Sequence, residues 1–468
     1  MICNLLFSLV LVSLASARVQ FLGVSIAGGD FGCEIDGSCP TGSTQLPLSS
    51  LGGGDGEGQM KHFVQDDNMN MFRLPISWQF LVNNKLGADL DAGNMGKYDQ
   101  LVQACLATGA HCMIDIHNFA RWDGSIIGQG GPTDEQFARL WSQLATRYAS
   151  SDRVVFELMN EPHDLDVAIW ARTCQAAVTA IRAAGATAQM ILLPGSNFDS
   201  AATLTDPVEG GAAALMAVTN PDGGTDGLLL DIHKYLDVDN SGTHAECVTD
   251  NVAALAGVAD FLRRAGRKGL VSETGASSDA TCVKAFCAQN AFVNANSDVF
   301  VGLVAWAAGG FDGSYLLSLT PSRGQGGGFV DNQLAAQCVV KTWLDSNETV
   351  SVPVPVPTAT TARGTGTKTG TRTATGTRRV TMTEAPTGST VMIVTMTGTA
   401  LNDEPTTLLM DPGAPTLPLD SSPPAPGLTT SIGTGASPSE TVVANWVGRM
   451  QVPGALLVFV LLGMAALA

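Results

Sequence analysis

Positive charge is scarce in this chain: its 468 residues carry 25 Lys and Arg against 43 Asp and Glu, a formal net charge of −18. That balance argues against nucleic acid and anionic membrane surfaces as partners, and an acidic surface of this kind is ordinarily a solubility feature. No Cys-x-x-Cys pair occurs, and the cysteines are not grouped with histidines at ligand spacing, so neither a structural zinc site nor any other metal or cofactor is expected. No Gly-x-Gly-x-x-Gly opens a helix, which argues against an open doubly wound sheet. The first apolar run, residues 5–14, lacks a basic flank, yet Ala15-Ser16-Ala17 supplies the small residues a signal peptidase needs. Residues 1–17 therefore read as a signal peptide and the mature chain as starting near Arg18. Cysteine itself is abundant: ten residues, of which only Cys3 falls in the signal, suit an oxidising compartment.

From residue 19 to about 344, short apolar runs alternate with longer amphipathic stretches through eight cycles, the pattern of a (β/α)8 TIM barrel. Strands are predicted at 21–26, 71–75, 112–117, 154–159, 190–194, 227–233, 269–272 and 302–306, each nearly all apolar as buried parallel strands should be. Helices are predicted at 59–67, 96–108, 134–149, 166–184, 212–219, 251–265, 280–296 and 332–344. Thr133 before Asp134 and Glu135 is an N-terminal cap, and Gly109, Gly185 and Gly266 stand at helix ends.

The composition then changes to Thr, Ser, Pro and Gly. Residues 347–441 read as a disordered, O-glycosylated stalk, with an N-glycosylation sequon at Asn347, and 18–346 as the catalytic domain. Residues 442–468 end in an apolar run with nothing polar after it, read as the signal for a glycolipid (GPI) anchor rather than a spanning helix. Those signals predict a secreted, monomeric protein tethered to the membrane or cell wall.

Barrel enzymes carry their chemistry at the C-terminal ends of strands. The second strand exit offers Arg73, the third His117 and Asn118, the fourth Asn160 and Glu161, the sixth His233 and Tyr235, the seventh Glu273 and the eighth Trp306. Two carboxylates facing each other across a barrel mouth are what glycoside cleavage by double displacement requires. Glu273 is the candidate nucleophile, kept ionised by Arg73 and Tyr235, and Glu161 the candidate acid/base. Asn160 is placed to donate to a sugar 2-hydroxyl, His117, Asn118 and His233 to add polar contacts, and Trp306 to floor a sugar ring. Singly, each has a plainer reading: Arg73, for instance, balances buried acids such as Glu157 or Asp115.

The stretches Phe-Arg-Leu-Pro-Ile-Ser-Trp from Phe72, Met-Ile-Asp-Ile-His-Asn-Phe-Ala-Arg-Trp from Met113, Met-Asn-Glu-Pro-His-Asp from Met159, His-Lys-Tyr-Leu-Asp-Val-Asp-Asn-Ser-Gly-Thr-His from His233 and Ser-Glu-Thr-Gly from Ser272 resemble the fungal endoglucanases of glycoside hydrolase family 5. The resemblance spans residues 19 to about 344 and implies a retaining endo-β-1,4-glucanase acting on β-glucan polysaccharide, with the nine residues just named as its site. It also implies disulfides Cys33–Cys39, Cys105–Cys112, Cys247–Cys282 and Cys287–Cys338, leaving Cys174 as a buried, inert thiol. Two departures stand out: Ser196-Asn197-Phe198 occupies a place where the family commonly has a tryptophan, and no cellulose-binding module is present. A mannanase, a mixed-linkage glucan or xyloglucan hydrolase, or a catalytically silent wall-tethered glycan-binding protein remain rivals, and Trp78, Trp122, Trp170 and Phe198 are the residues expected to separate the substrates.

Overall fold

Eight apolar segments form eight parallel strands that close into a barrel. They are β1 (Phe21–Ala27), β2 (Met71–Ile76), β3 (His111–Ile116), β4 (Val154–Glu157), β5 (Ile191–Leu193), β6 (Leu228–His233), β7 (Gly269–Glu273) and β8 (Phe300–Gly309). The computed structural model describes residues 18–346. The predicted signal peptide, stalk, anchor signal and Asn347 lie outside them.

Because side chains alternate along a strand, every second residue enters the barrel. One layer of the interior is wholly apolar, with one residue from each strand: Phe21, Met71, Met113, Val155, Leu192, Leu229, Leu270 and Val304. Two residues further on, the same inward rows carry Arg73, Asp115, Glu157, Asp231, Ser272 and Trp306, all buried. An apolar plug thus supports a polar layer, and the mouth opens above it. Register fixes the neighbours: Asp115 pairs with Glu157 across β3 and β4, and His233 with Glu273 across β6 and β7.

The outer ring comprises α1 (Gly56–Gln65), α2 (Ala92–Ala107), α3 (Asp134–Tyr148), α4 (Val167–Ala183), α5 (Ala212–Leu215), α6 (Val252–Ala265) and α7 (Ala280–Ala295). A capping box of Thr133 and Gln136 starts α3, and Gly266 ends α6 with φ 62°, a left-handed conformation that glycine adopts without a Cβ penalty. Two tryptophans bolt this ring to the strand exits. Trp141 Nε1 donates to Leu158 O (3.2 Å) and Trp170 Nε1 to Pro194 O (2.9 Å), just past the ends of β4 and β5.

Two helices differ from expectation. The segment predicted at 212–219 stops at Leu215, where Ala217 N bonds to Ala214 O and Thr219 N is taken by the Gln175 side chain. The last helix is a π-helix over Ala335–Lys341 before a turn of α-helix, Thr342–Asp345. The widened turn contains Cys338, whose carbonyl accepts from Asn290 Nδ2 (2.9 Å).

Four disulfides join Cys33 to Cys39, Cys105 to Cys112, Cys247 to Cys282 and Cys287 to Cys338. Cys174 is free and buried on α4, and burial pushes its thiol well above the usual range, so it is not a nucleophile. Among the described residues no helix is long and apolar enough to cross a membrane.

Candidate active site

Arg73, in the polar layer, is fully buried and organises the carboxylates around it. Its Nε and Nη2 grip Glu157 at 2.7 and 2.6 Å, Nη2 also reaches Asp115 (2.9 Å) and Asn160 Oδ1 (2.7 Å), and Nη1 donates to Glu273 Oε2. Both readings of Arg73 therefore hold at once: it balances Asp115 and Glu157 and it grips Glu273.

Glu273 accepts a second hydrogen bond on its other oxygen from Tyr235 Oη, at 2.7 Å. Burial alone would raise this carboxyl, but Arg73 foremost, then His233, His117 and the Tyr235 hydroxyl, outweigh it and hold the carboxyl below its usual range. Glu273 is thus an anion with both oxygens positioned.

Glu161 lies in the β4 exit loop at φ 46°, a left-handed conformation that costs a non-glycine residue about 1–2 kcal/mol. Its side chain lines the mouth, where it is 17% exposed, against 6% for Glu273. His233 Nδ1 lies 2.9 Å from Glu161 Oε1 and 3.9 Å from Glu273 Oε1. Burial disfavours the charged imidazole, but Glu273 and Glu161 prevail and push His233 up to about 10, so it can give Glu161 a charge-assisted hydrogen bond whenever that carboxyl is ionised. An oxygen of Glu161, an oxygen of Glu273 and a His233 nitrogen lie within 4.8 Å of one another. Carboxyls about 5–5.5 Å apart suit double displacement, whereas inversion needs about 6.5–9.5 Å to admit a water.

The remaining candidates separate. Asn160 is buried, with Oδ1 on Arg73 and Nδ2 unpartnered, a donor in want of an acceptor. His117 bonds Asp115 (2.7 Å) and stacks on Trp306, with ring centroids 5.7 Å apart and 18° between planes. Trp306 Nε1 donates to Tyr315 Oη (2.9 Å), and its ring walls a cleft of about 370 Å³ that Glu161, Tyr235, Glu273, Tyr315 and Leu317 also line. Asn118 is not among those groups: its amide is spent on Trp78 N (2.7 Å) and Gln79 Oε1 (2.6 Å), where it pins the β2 exit loop.

Trp78 and Trp170, expected to contact substrate, are each only 1% exposed and belong to the core between strands and helices. Trp122 meets Trp78 edge-on inside that same core, and Phe198 is half-buried, stacked on His163 with centroids 4.5 Å apart. Sequence reasoning missed Tyr315 and the buried Asp231 and Asp199. Asp231 had a signal, since a carboxylate on the inward row of an apolar strand must have a partner; it accepts from Ser272 Oγ.

A family model described as cellulase, glycosyl hydrolase family 5, matches residues 35–310. Endoglucanase EG-II of Hypocrea jecorina is 53% identical over 331 residues, 70% of this chain and 78% of that protein. The crystal structure of Cel5A (EG2) from Hypocrea jecorina matches with TM-score 0.68 and 52% identity, covering 69% of this chain and 99% of that one. A structure of XacCel5A in complex with cellopentaose matches with TM-score 0.60 and 29% identity, over 69% and 99% of the two chains.

Proposed function

Since this chain belongs to the cellulases of glycosyl hydrolase family 5, we propose that Glu273 and Glu161 are its nucleophile and its acid/base in double displacement on a β-1,4-glucan. The protein is an endo-β-1,4-glucanase, a retaining glycoside hydrolase. The observation that carries the residue assignment is the asymmetry of the close carboxylate pair. Arg73 and Tyr235 hold one member ionised, while the other faces the cleft with His233 behind it.

In the first step a Glu273 oxygen bonds the anomeric carbon as the glycosidic C–O bond breaks, and the Glu161 proton passes to the departing sugar oxygen. Formation of the ester removes the Glu273 charge, while His233 stabilises the carboxylate now left on Glu161. That carboxylate takes a proton from water, whose oxygen attacks the same carbon and displaces Glu273 with the original configuration restored. Asn160 Nδ2 donates to the sugar 2-hydroxyl, a bond that strengthens as the oxocarbenium-like state forms, and Trp306 floors the ring at the point of cleavage.

Cello-oligosaccharide is the ligand class, in keeping with the cellopentaose bound by XacCel5A. Residues 18–346 act as the catalytic unit, exported behind 1–17, in keeping with four disulfides. Residues 347–441 form a glycosylated stalk, N-linked at Asn347, and 442–468 direct attachment to a glycolipid anchor, on composition alone.

The test follows viscosity and reducing ends on carboxymethylcellulose, β-mannan and mixed-linkage glucan. A viscosity drop that runs ahead of reducing-end release on the cellulose derivative is expected. Glu273→Gln should abolish it and Glu161→Gln should slow it by about 10²–10⁴-fold. Variants that keep wild-type turnover would sink the assignment.

A further inference from the structure

Where α1 leads into β2, away from the cleft, a second cluster of acids and imidazole serves no step of glycoside cleavage. His62, on the last turn of α1, has a side chain only 7% exposed, and its Nδ1 lies 2.6 Å from Asp66 Oδ2. Nδ1 donates to that carboxylate, and the Nε2 edge faces inward, where it either donates to a second carboxylate or, with its proton displaced, ligates a cation. Nε2 lies 3.0 Å from Asp331 Oδ1 and 3.7 Å from Asp67 Oδ2, and the three atoms are all within 4.8 Å of one another. Asp67 is 6% exposed, and its Oδ2 has no hydrogen-bond partner.

A buried carboxylate oxygen without a hydrogen-bond partner is costly, and the cost is relieved when the group takes up a proton or when a cation lies between it and the imidazole nitrogen it faces. Zinc with nitrogen and oxygen ligands at about 2.0–2.2 Å in a tetrahedron sets those ligands about 3.3–3.6 Å apart, and the two observed spacings straddle that range. Two carboxylates neutralise a dication. An imidazole whose far nitrogen donates to a third carboxylate is the orientation that metal-binding histidines take.

We propose that His62 Nε2, Asp67 and Asp331 bind one divalent cation of the zinc or manganese type, with Asp66 orienting the imidazole. Asp331 directly follows the strand pair Ser322–Arg323 and Phe329–Val330, in the same chain segment that brings Tyr315 and Leu317 to the cleft. The ion would fasten that segment to α1. The ligands are 269 positions apart in sequence between His62 and Asp331, so no spacing motif announces them.

Purified protein stripped with EDTA is titrated with zinc chloride and with manganese chloride, reading heat of binding, thermal midpoint and turnover on carboxymethylcellulose. A single equivalent bound, with the midpoint raised by several degrees, is expected. Asp67→Asn should weaken binding by about 100-fold or more and erase the thermal response while turnover stays at the wild-type level. Asp331→Asn, altering a more exposed ligand, should do the same if Asp67→Asn folds poorly. Absence of saturable binding to the wild type overturns the proposal. So does binding that survives both substitutions, or that is lost instead in Glu161→Gln, which would put the ion between the catalytic carboxylates.

Discussion

Arg73 holds three carboxylates and an amide oxygen with one guanidinium, and no other side chain has that reach. A lysine would present a single ammonium where five donors now act. Arg73→Lys should therefore cost stability by about 3–5 kcal/mol, the range for breaking a buried ion pair, and lower kcat because Glu273 loses a partner that orients it. Urea denaturation and turnover on a soluble cellulose derivative check both, and wild-type values for the two would refute the role. His233 permits a prediction about pH. Its folded-state value of about 10 stands above the ordinary 6.5, so the folded state binds the proton more tightly than the unfolded chain does. The stabilisation is then complete below about pH 6.5 and is lost as pH rises toward 10. The difference in unfolding free energy between wild type and His233→Gln should shrink steadily across that window, and a difference independent of pH would count against a charged imidazole.

Tyr315 belongs to the β8 exit loop, and its hydroxyl is what holds the Trp306 indole upright against the cleft. Tyr315→Phe should raise KM for cello-oligosaccharides about fivefold, the equivalent of one net hydrogen bond of about 1 kcal/mol, and leave kcat near its wild-type value. A fall in kcat with KM unchanged would mean that Trp306 acts at the reacting bond alone. This loop also marks where the sequence stops being legible. The barrel strands can be read directly because parallel strands buried on both faces give unbroken apolar runs, and a polar residue at the exit, such as Glu161 or Glu273, breaks the run where the mouth begins. The extension of β8 through Ala307 to Gly309 could not be read, since small residues carry no strand signal. Trp78 and Trp170 misled for a related reason: a tryptophan just past a strand exit, or in the first turn of the helix that follows, has the same local sequence whether its ring faces the cleft or the core. Asn118 sits beside His117, which stacks on Trp306, yet its own amide is held by Trp78 N and Gln79 Oε1. Tyr315, in a loop of Gly, Asp and Ser, has no periodicity to reveal it.

The two ends of the described chain meet at the side of the barrel remote from the chemistry. Trp343, 4% exposed, donates from Nε1 to Val19 O (3.1 Å), and the Arg18 guanidinium lies 3.7 Å from the centre of its ring. A backbone carbonyl at the entry to β1 is thus satisfied by the last helix, and the closing strands β1 and β8 are braced by residues from both ends. A unit whose termini lock together in this way is predicted to fold without the residues beyond them. A chain ending after Ser346 should therefore match the full-length protein in thermal midpoint and in kcat/KM on soluble cellulose derivatives. A chain ending after Lys341 loses Trp343 from the core and should be less stable by about 3–5 kcal/mol. Calorimetry and turnover on the three proteins compare the cases directly. Should the chain ending at Ser346 melt well below the full-length protein, residues 347–468 contribute to the fold and the assignment of 18–346 as the catalytic unit fails. Equal melting of the two shorter chains would show that the Trp343 bond to Val19 does not brace the barrel.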